Sequence, residues 1–331
     1  MNSDLIDHFQ SGKIANIHGT SIFYTDKGEG EIILLVHGFF SSSFSFSQLS
    51  AILSKTNRVI AVDLPGIGFS ETSSSVTSLR MMAKYLDGFI QFLSETPIHL
   101  VVFDYSGPIS FMMLNDSSVK LKSLTAINTF INFRKRFSYL PLVLYRIPVL
   151  GNILSFLSFP IVLKLFYDLF LHSQKFLKQR FQNEYEILFS GKRKKASLAF
   201  MKNIDVSVYA KRDMETGIKK MVGFRQLIVS TDKQRIHPNQ IEELKQIFRI
   251  SAPVTIPGGH LVMEDQPLAL AEKILSVVDA STRNKSKNVS FQFSKVPKDS
   301  HAKDILSPDE TPTPNNPSVS SENSELEEGN P

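Results

Sequence analysis

The sequence predicts an α/β fold in which helices cover both faces of a mostly parallel central sheet and a helical cap is inserted. Short apolar runs rich in β-branched residues alternate with segments of helical spacing, and short loops join them. The alternation stops after residue 129 and resumes at residue 222. We therefore expect the core in residues 1–129 and 222–280, and a helical cap with a basic loop in residues 130–221.

The first half of the core contains two hairpin strands followed by buried strands. Residues 14–17 and 21–24 flank a His-Gly-Thr turn, which is a hairpin signal. Residues 31–36 form an unbroken apolar run, as expected of a parallel strand that is buried on both faces. The other predicted elements are a helix near 44–53, a strand at 58–62, a helix at 77–94, a strand at 99–103, a helix directly after it and a strand at 124–127.

The second half of the core repeats the alternation and leads into a polar tail. The predicted elements are a strand at 226–230, a helix at 238–247, a strand at 254–256 and a final helix at 267–278. From residue 281 onward Ser, Asn, Pro, Lys and Glu dominate the composition. Such a segment cannot bury enough apolar surface to offset the entropy lost on ordering, so we expect residues 281–331 to be a disordered tail.

The segment between the two halves is strongly apolar and shows no clear strand. Two apolar stretches punctuated by proline, 139–149 and 153–171, predict helices. A run without charges spans residues 147–163, but it contains two prolines and a glycine and is shorter than the about 20 residues that a bilayer crossing needs. We expect this segment to be a lid that lines an apolar pocket.

Charge and the N-terminus narrow the expected partners and location. The net charge is +5, and because much of the acidity lies in the tail, the rest of the chain is more basic than the total suggests. We expect no nucleic-acid partner, because no such motif is present, and a cytoplasmic location, because no signal peptide is apparent. The apolar cap and the basic run at 192–195 predict peripheral membrane contact, with a solvated loop as the alternative interpretation of that run.

The most informative stretch is the strand at 99–103 and the turn after it. The strand stops at Asp104, and small residues with a helical pattern follow at once, which predicts a sharp turn with a side chain projecting from its apex. Asp104 and Ser106 compete for the apex. The Asp104 register places Ser106 and Gly107 where the backbone crosses itself, so we favour Asp104 as a carboxylate nucleophile and keep Ser106 as the alternative. A carboxylate that caps the next helix is the structural interpretation of Asp104.

Further polar residues follow other predicted strands. His37, Asp104, Asp232 and His260 all fall at carboxyl ends of strands, where ligands bind in open α/β sheets. The last three run in the order nucleophile, acid, base, which is the chain order of one large class of hydrolases. His37 also has a structural interpretation, since it can orient the loop that carries Phe39.

Four motifs of the core resemble the α/β-hydrolase superfamily, and the resemblance covers roughly residues 12–279. The motif at the turn resembles the aspartate elbow of the branch that includes haloalkane dehalogenases, epoxide hydrolases and mesoderm-specific transcript proteins. The four motifs are His37-Gly38-Phe39, Asp63-Leu64-Pro65-Gly66-Ile67-Gly68-Phe69-Ser70, Phe103-Asp104-Tyr105-Ser106-Gly107-Pro108 and Gly259-His260-Leu261-Val262-Met263-Glu264-Asp265-Gln266-Pro267.

The resemblance implies an α/β-hydrolase fold and a role for each site residue. Asp104 attacks an electrophilic carbon and forms an ester, and His260 activates the water that hydrolyses this ester. Asp232 is the acid that fixes the tautomer of His260 and stabilises the imidazolium. The backbone N–H groups of Phe39 and Tyr105 form the oxyanion hole.

Departures from the family pattern narrow the expected substrate. Haloalkane dehalogenases hold the halide with Trp side chains, often aided by an Asn, but this chain has no Trp and carries Phe39 at the place of that Asn. Epoxide hydrolases donate hydrogen bonds from tyrosines of the cap, and Tyr139, Tyr145 and Tyr167 lie in the predicted cap, where packing is the alternative interpretation. We therefore expect a hydrolase of an apolar, lipid-like epoxide or ester, and we do not expect a dehalogenase.

Two other functions stay open. A serine esterase or lipase would use Ser106. A non-catalytic or membrane-associated binding protein on a hydrolase scaffold would explain the absent halide-holding residues and the irregular loop at Asp232, which has no preceding Gly. The chain has no Cys, which excludes disulfides, thiol catalysis and Cys-based metal sites, and we expect neither a metal nor a cofactor.

Overall fold

The computed structural model describes most of the predicted core and little of the predicted cap. All residues after 293 lie outside the described part, as do three predicted pocket residues, Tyr139, Tyr145 and Tyr167. Residues Met1–Lys287 form one compact unit and Asn288–Pro331 a second, of which only the end of one helix is described. The described residues are 3–39, 41–72, 78–132, 177–189, 207–232 and 238–293, with isolated positions between these ranges.

In the described part of the chain, the strands form one mostly parallel sheet, which confirms the predicted fold class. The strands are Gly12–Ile17 (β1), Thr20–Lys27 (β2), Ile32–Val36 (β3), Arg58–Val62 (β4), Ile98–Phe103 (β5), Leu121–Ile127 (β6), Phe224–Ser230 (β7) and Val254–Ile256 (β8). Their order across the sheet is β1-β2-β4-β3-β5-β6-β7-β8. β2 pairs antiparallel with β1 and β4, and the other neighbours are parallel. The carboxyl ends of β3, β5, β6, β7 and β8 therefore lie at one edge of the sheet.

Helices separate most of these strands, in agreement with the predicted alternation. The described helices are Ser3–Gln10 (α1), Ser47–Leu53 (α2), Leu79–Leu93 (α3), Ser106–Asp116 (α4), Leu177–Phe189 (α5), Val208–Lys220 (α6), Pro238–Phe248 (α7), Val262–Asp265 (α8) and Pro267–Phe293 (α9). A 3₁₀ turn, Ser43–Phe46, precedes α2. Every residue of β5 is buried, so the strand before the elbow runs through the middle of the hydrophobic core. Among the described residues, every helix is either too short or too polar to span a bilayer.

Helix α6 packs on the core helix α4, although the sequence pattern groups it with the cap at 130–221. The two helices approach closely at Gly217, where an added Cβ would lie 1.9 Å from the carbonyl oxygen of Phe111. The Lys220 ammonium also donates to the carbonyl oxygen of Asn115 at 2.6 Å. An amphipathic pattern shows that a helix has a buried face, but it does not show which layer that face contacts.

Two helices differ from the sequence-based expectations. The periodicity gives no helix before β1, but α1 buries Leu5 and His8 against the core. The last helix, α9, ends at Phe293 instead of 278 and so includes the first residues of the segment predicted to be disordered. Neither Gly nor Pro interrupts α9 after Pro267, so its polar second half has no residue that forces the helix to stop.

Candidate active site

Asp104 stands at a strained bend between β5 and α4. Its φ angle is +52°, in the left-handed region that non-glycine residues rarely adopt and that Asp tolerates better than most. Two glycines allow the close crossing of the backbone at this bend. A Cβ at Gly38 would lie 2.6 Å from the Asp104 Cβ, and a Cβ at Gly107 would lie 1.9 Å from the Thr129 Oγ1. Small residues thus occur where the Asp104 register requires them.

Hydrogen bonds to the end of β6 fix the backbone of this bend. The Asp104 N–H donates to the carbonyl oxygen of Ile127 at 3.1 Å. The Asp104 carbonyl oxygen accepts a bond from the Thr129 hydroxyl at 2.7 Å and one from the Gly107 N–H at 3.2 Å. The neighbouring strand therefore holds the strained φ of Asp104, which fixes the direction of its side chain.

The two carboxylate oxygens of Asp104 have different neighbours. Oδ1 lies 3.5 Å from Nε2 of His260, and Oδ2 accepts a hydrogen bond from the Phe39 N–H at 3.3 Å. Both Asp104 and His260 are only 1% exposed. The site thus pairs a buried carboxylate with an imidazole on one side and with a backbone donor on the other.

Tyr105, the second predicted oxyanion residue, immediately precedes the first residue of α4. Backbone N–H groups of a first helical turn point out along the helix axis, and the helix dipole favours negative charge there. α4 begins at Ser106, two residues after Asp104, and Tyr105 lies between them. A role of the Tyr105 N–H in stabilising charge on Oδ2 stays a prediction.

The Ser106 hydroxyl bonds to the backbone around the bend. Its Oγ accepts from the Phe103 N–H at 2.8 Å and donates to the carbonyl oxygen of Val36 at 2.7 Å or of Phe103 at 2.9 Å. The residue has no solvent exposure. Through these bonds Ser106 connects the end of β3 to the bend after β5. This structural role of Ser106 favours Asp104 as the residue at the apex.

His37 and Asp63 organise the loop that carries Phe39. His37 Nε2 accepts the Leu64 N–H at 3.0 Å, so its proton lies on Nδ1 and is donated to the Gly38 carbonyl oxygen at 2.8 Å. Burial lowers the pKa of His37, which keeps the ring neutral. The Asp63 carboxylate accepts the Ser43 N–H at 2.7 Å. His37 therefore acts as a structural residue, and the loop around Phe39 is fixed at several points.

Asp232 lies on the loop after β7, beside the segment that leads to His260. Its N–H donates to the carbonyl oxygen of Gly258 at 3.0 Å, and its Oδ1 accepts a bond from the Thr231 hydroxyl at 3.0 Å. The loop after β7 thus extends the pairing of β7 with β8 and brings Asp232 next to the turn that carries His260. The role of Asp232 as the acid stays a prediction.

Asn128 joins three strand ends at the site, a role outside the predicted catalytic set. Its Nδ2 donates to the carbonyl oxygen of His260 at 2.8 Å, and its Oδ1 accepts the Ser230 N–H at 2.8 Å. The residue is 1% exposed and has a φ of +44°, which Asn tolerates. The sequence feature that could have identified Asn128 is a polar residue directly after a buried parallel strand. Asn128 therefore holds the backbone of His260.

We expect Asn128→Asp to lower kcat by about tenfold, because a carboxylate keeps the acceptor for Ser230 and the left-handed backbone but cannot donate to the His260 carbonyl oxygen. The unpaired and repelling oxygens would shift the His260 segment away from Asp104. Steady-state kinetics and thermal denaturation measure the two effects separately. Asn16→Asp, at an exposed position of β1, is the matched control. Unchanged kcat in Asn128→Asp would contradict this role.

Aromatic rings form the described wall above Asp104. The ring centroids of Phe39 and Tyr105 are 5.1 Å apart, and those of Tyr105 and Phe130 are also 5.1 Å apart. Phe200 adds a fourth ring, 5.8 Å from Phe39. All four residues are buried. The two predicted oxyanion residues, Phe39 and Tyr105, therefore carry side chains that belong to a buried aromatic cluster.

A buried ion-pair cluster connects α5 with the catalytic loops. Arg180 pairs with Glu184 on the same helix and with Glu264 on α8, where its Nη2 lies 2.6 Å from the Glu264 carboxylate. Its Nη2 also donates to the Ser45 hydroxyl at 2.8 Å. Burial raises the pKa of Glu184 to about 7, with Glu264 and Asp63 adding to the rise and Arg180 opposing it. Burial raises the pKa of Glu264 as well.

The raised pKa of Glu184 predicts a pH-dependent stability. In the folded protein the Glu184 carboxyl keeps its proton up to about pH 7, whereas in the unfolded chain it loses that proton above pH 4.5. The contribution of Glu184 to the free energy of unfolding is therefore complete below pH 4.5 and is lost as the pH rises through about 7. The Glu184→Gln variant has no titratable group at this position. We expect its free energy of unfolding, relative to the wild type, to rise by about 2 kcal/mol between pH 5 and pH 8.

Urea denaturation at both pH values measures that difference. Glu186→Gln is the matched control, because Glu186 lies on the exposed side of the same helix. A Glu184→Gln variant whose stability follows the wild type at both pH values would contradict the prediction.

An Asp–His pair beside backbone N–H donors, at the carboxyl edge of a mostly parallel sheet, is the arrangement of the α/β-hydrolase class of proteins. A comparison with family models agrees with this class. The model described as the alpha/beta hydrolase family matches residues 33–273, and the chain belongs to that family.

Individual relatives match shorter parts of the chain. An uncharacterized hydrolase of Saccharomyces cerevisiae is 32% identical over 114 residues, which are 34% of this chain and 39% of that protein. A soluble epoxide hydrolase of Corynebacterium sp. is 27% identical over 103 residues, which are 31% of this chain and 36% of that protein. The matched segments thus span little more than a third of either relative.

Solved structures match over a longer range. A loop variant of a haloalkane dehalogenase from Bradyrhizobium elkanii covers 84% of this chain and 99% of its own chain, with a TM-score of 0.70 and 16% sequence identity. At this identity the likeness is one of fold.

Proposed function

We propose that this chain hydrolyses an apolar, lipid-like epoxide through a covalent ester on Asp104. The observation that carries the proposal is that the two carboxylate oxygens of Asp104 have different partners. Oδ1 lies 3.5 Å from His260 Nε2, and Oδ2 accepts a hydrogen bond from the Phe39 N–H. Such a carboxylate can attack with one oxygen while the second remains with the hydrogen-bond donors. The name of the Corynebacterium relative is consistent with this chemistry.

In the first step, Asp104 Oδ1 bonds to a ring carbon of the epoxide and the carbon–oxygen bond of the ring breaks. The electron pair of that bond goes to the epoxide oxygen, which takes a proton from a hydrogen-bond donor. Tyr139, Tyr145 and Tyr167 of the predicted cap are the proposed donors. The product of this step is an ester between Asp104 and the opened substrate.

In the second step, His260 takes a proton from water, and the resulting hydroxide attacks the Asp104 carboxyl carbon. Negative charge develops on Oδ2, where the N–H groups of Phe39 and Tyr105 stabilise it. Asp232 stabilises the imidazolium. The tetrahedral species then collapses, and the diol takes the proton from His260 and leaves. The carboxylic acid formed on Asp104 gives its proton back to the donor that protonated the epoxide oxygen, which restores the Asp104 carboxylate.

An epoxide fits this carboxylate better than an ester does. Attack of a carboxylate on the carbonyl carbon of an ester yields an anhydride, whereas attack on an epoxide carbon yields a stable ester that water can hydrolyse. The serine alternative is disfavoured because the Ser106 hydroxyl is bonded to backbone groups and fully buried. Dehalogenation is disfavoured because the chain has no Trp to hold a halide.

The proposed function is tested with a panel of epoxides, haloalkanes and p-nitrophenyl esters. We expect diol formation from apolar epoxides and only background release of halide and nitrophenol. A single turnover in H₂¹⁸O is expected to place ¹⁸O in the Asp104 carboxyl group, because the water oxygen attacks that carbon. A folded protein that turns over none of these compounds would favour the non-catalytic binding function instead.

We also propose peripheral membrane contact through the cap. The apolar side chains described between residues 147 and 153 are exposed, with Val149 at 73% and Ile153 at 50%. The basic run at 192–195 would add attraction to anionic lipid. We expect the protein to sediment with vesicles of anionic phospholipid and to stay in solution with Val149→Ser/Ile153→Ser. Equal sedimentation of both proteins would contradict this contact.

A further inference from the structure

We propose that a polar cleft between α1, α2, α5 and α8 binds a small zwitterion, a molecule that carries both an ammonium group and a phosphate or carboxylate group. The cleft has a volume of about 530 Å³, which is within the range of small-molecule sites. Its described lining includes none of Phe39, Asp104, Tyr105 and His260, so the inference does not depend on the proposed function.

Contacts between the walls of the cleft fix their relative positions. His8 Nε2 on α1 lies 2.9 Å from the Ser43 hydroxyl, which precedes α2. Arg180 Nη2 on α5 donates to the Ser45 hydroxyl at 2.8 Å and lies 2.6 Å from the Glu264 carboxylate on α8. A site whose walls are already positioned loses less conformational entropy when a ligand binds.

Most charged side chains of the lining have partners within the protein. Arg180 pairs with carboxylates on α5 and α8. Asp265 Oδ2 accepts the Gly259 N–H at 2.8 Å, and Asp4 Oδ1 accepts the Ser3 hydroxyl at 3.3 Å. These groups build the walls, and their charges are largely balanced before a ligand arrives.

Two charges of opposite sign remain available for a ligand. Within the described residues, the Lys27 ammonium and the Asp7 carboxylate form neither an ion pair nor a side-chain hydrogen bond, although both side chains line the cleft. Lys27 ends β2 and Asp7 belongs to α1, so the charges come from different elements. A simple cation would be repelled by Lys27 and a simple anion by Asp7. A molecule with both charges can pair with both groups.

The positive charge of Lys27 acts on the buried part of the lining. Burial lowers the pKa of His8 to about 4; Asp63 opposes this fall, and the charges of Lys27 and Arg180 add to it. His8 is therefore neutral near pH 7 and does not supply a further cation. The anionic end of a ligand thus has Lys27 as its available partner.

A buried amide in the same lining indicates a polar ligand independently of these charges. Asn183 is 6% exposed, and its side chain has no hydrogen-bond partner among the described residues. An amide side chain has both donors and acceptors, and leaving them unpaired when buried is unfavourable. Asn183 therefore offers hydrogen bonds to the part of a ligand that lies deepest in the cleft.

Calorimetric titration of the full chain tests the ligand class. The zwitterionic probes are glycerophosphoethanolamine and γ-aminobutyrate, and the probes with one kind of charge are ethanolamine and glycerol phosphate. We expect at least one zwitterion to bind about fivefold more tightly than either of the other probes, which is the effect of adding one exposed ion pair. Equal affinities for all probes, or no binding to the folded protein, would overturn the proposal.

Three variants test the residues, and none of the three side chains has a partner within the described protein to lose. Lys27→Gln is expected to bind the zwitterion no more tightly than ethanolamine, and Asp7→Asn no more tightly than glycerol phosphate. Asn183→Ala is expected to weaken binding about fivefold. Lys55→Gln and Asp279→Asn change exposed charges outside the described lining and are the matched controls. Unchanged zwitterion affinity in all three cleft variants, with thermal denaturation confirming that they fold, would overturn the site.

The same chemistry occurs in free zwitterions and in the headgroup of phosphatidylethanolamine. Sedimentation with vesicles of that lipid distinguishes the two sources. A wild-type protein that sediments, together with a Lys27→Gln variant that does not, would identify the headgroup as the ligand. Equal sedimentation of the two proteins, or none, together with binding in the titration would identify a free zwitterion.

Discussion

Replacing Asp104 with Ala is expected to lower turnover of the epoxide by roughly 10³-fold or more, because the variant lacks the oxygen that bonds to the substrate. Ser106, the nearby hydroxyl, cannot substitute while it bonds to the Val36 and Phe103 backbone. Ala is disfavoured at a φ of +52°, so Asp104→Gly, which suits this backbone, is the second variant. Diol formation and thermal denaturation are measured for both.

A matched control separates chemistry from folding. Asp116→Ala changes an exposed carboxylate at the other end of the same helix, α4, and is expected to leave turnover unchanged. Near-wild-type turnover in a folded Asp104→Gly protein would contradict the carboxylate nucleophile. Labelling of Ser106 by a fluorophosphonate would then identify the serine alternative.

Replacing His260 with Gln is expected to trap the covalent ester on Asp104 and to lower steady-state turnover by about 10³-fold. Formation of the ester needs the carboxylate and a proton donor to the epoxide oxygen, both of which the variant keeps. Hydrolysis of the ester needs a base that takes a proton from water, and Gln cannot do so. Intact-mass spectrometry after mixing with epoxide measures the gain of one substrate mass, and peptide mapping assigns it to Asp104.

The control for this experiment is His18→Gln, which changes an exposed histidine in the first hairpin turn. It is expected to stay unmodified at steady state and to turn over normally. If His260→Gln protein gains no mass under conditions in which the wild type is active, the covalent step is contradicted.

The local parts of this site could be predicted from the sequence. The strands Arg58–Val62 and Val254–Ile256 have the predicted bounds, because short β-branched runs end at turn residues there. The bend at Asp104 was also predictable, since Gly107 lies within a few residues of it and marks the crossing of the backbone. In each case the informative residues are neighbours along the chain.

The missed features depend on contacts between distant residues. Asn128 and His260 are 132 positions apart, and no local pattern predicts that one donates to the carbonyl oxygen of the other. The pairing of Arg180 with Glu264 is equally non-local. The placement of α6 against α4 depends on a close approach at Gly217, which a single helix pattern does not reveal.

The unequal surroundings of the two Asp104 oxygens have a stereochemical consequence for the proposed reaction. Since the Phe39 N–H holds Oδ2, Oδ1 reaches the substrate from one fixed direction. Displacement from behind the breaking bond inverts the attacked carbon, so each enantiomer of a chiral epoxide must present a different carbon or a different face to the aromatic wall. A racemic mixture is therefore expected to be resolved kinetically, leaving one optical antipode of the starting material enriched.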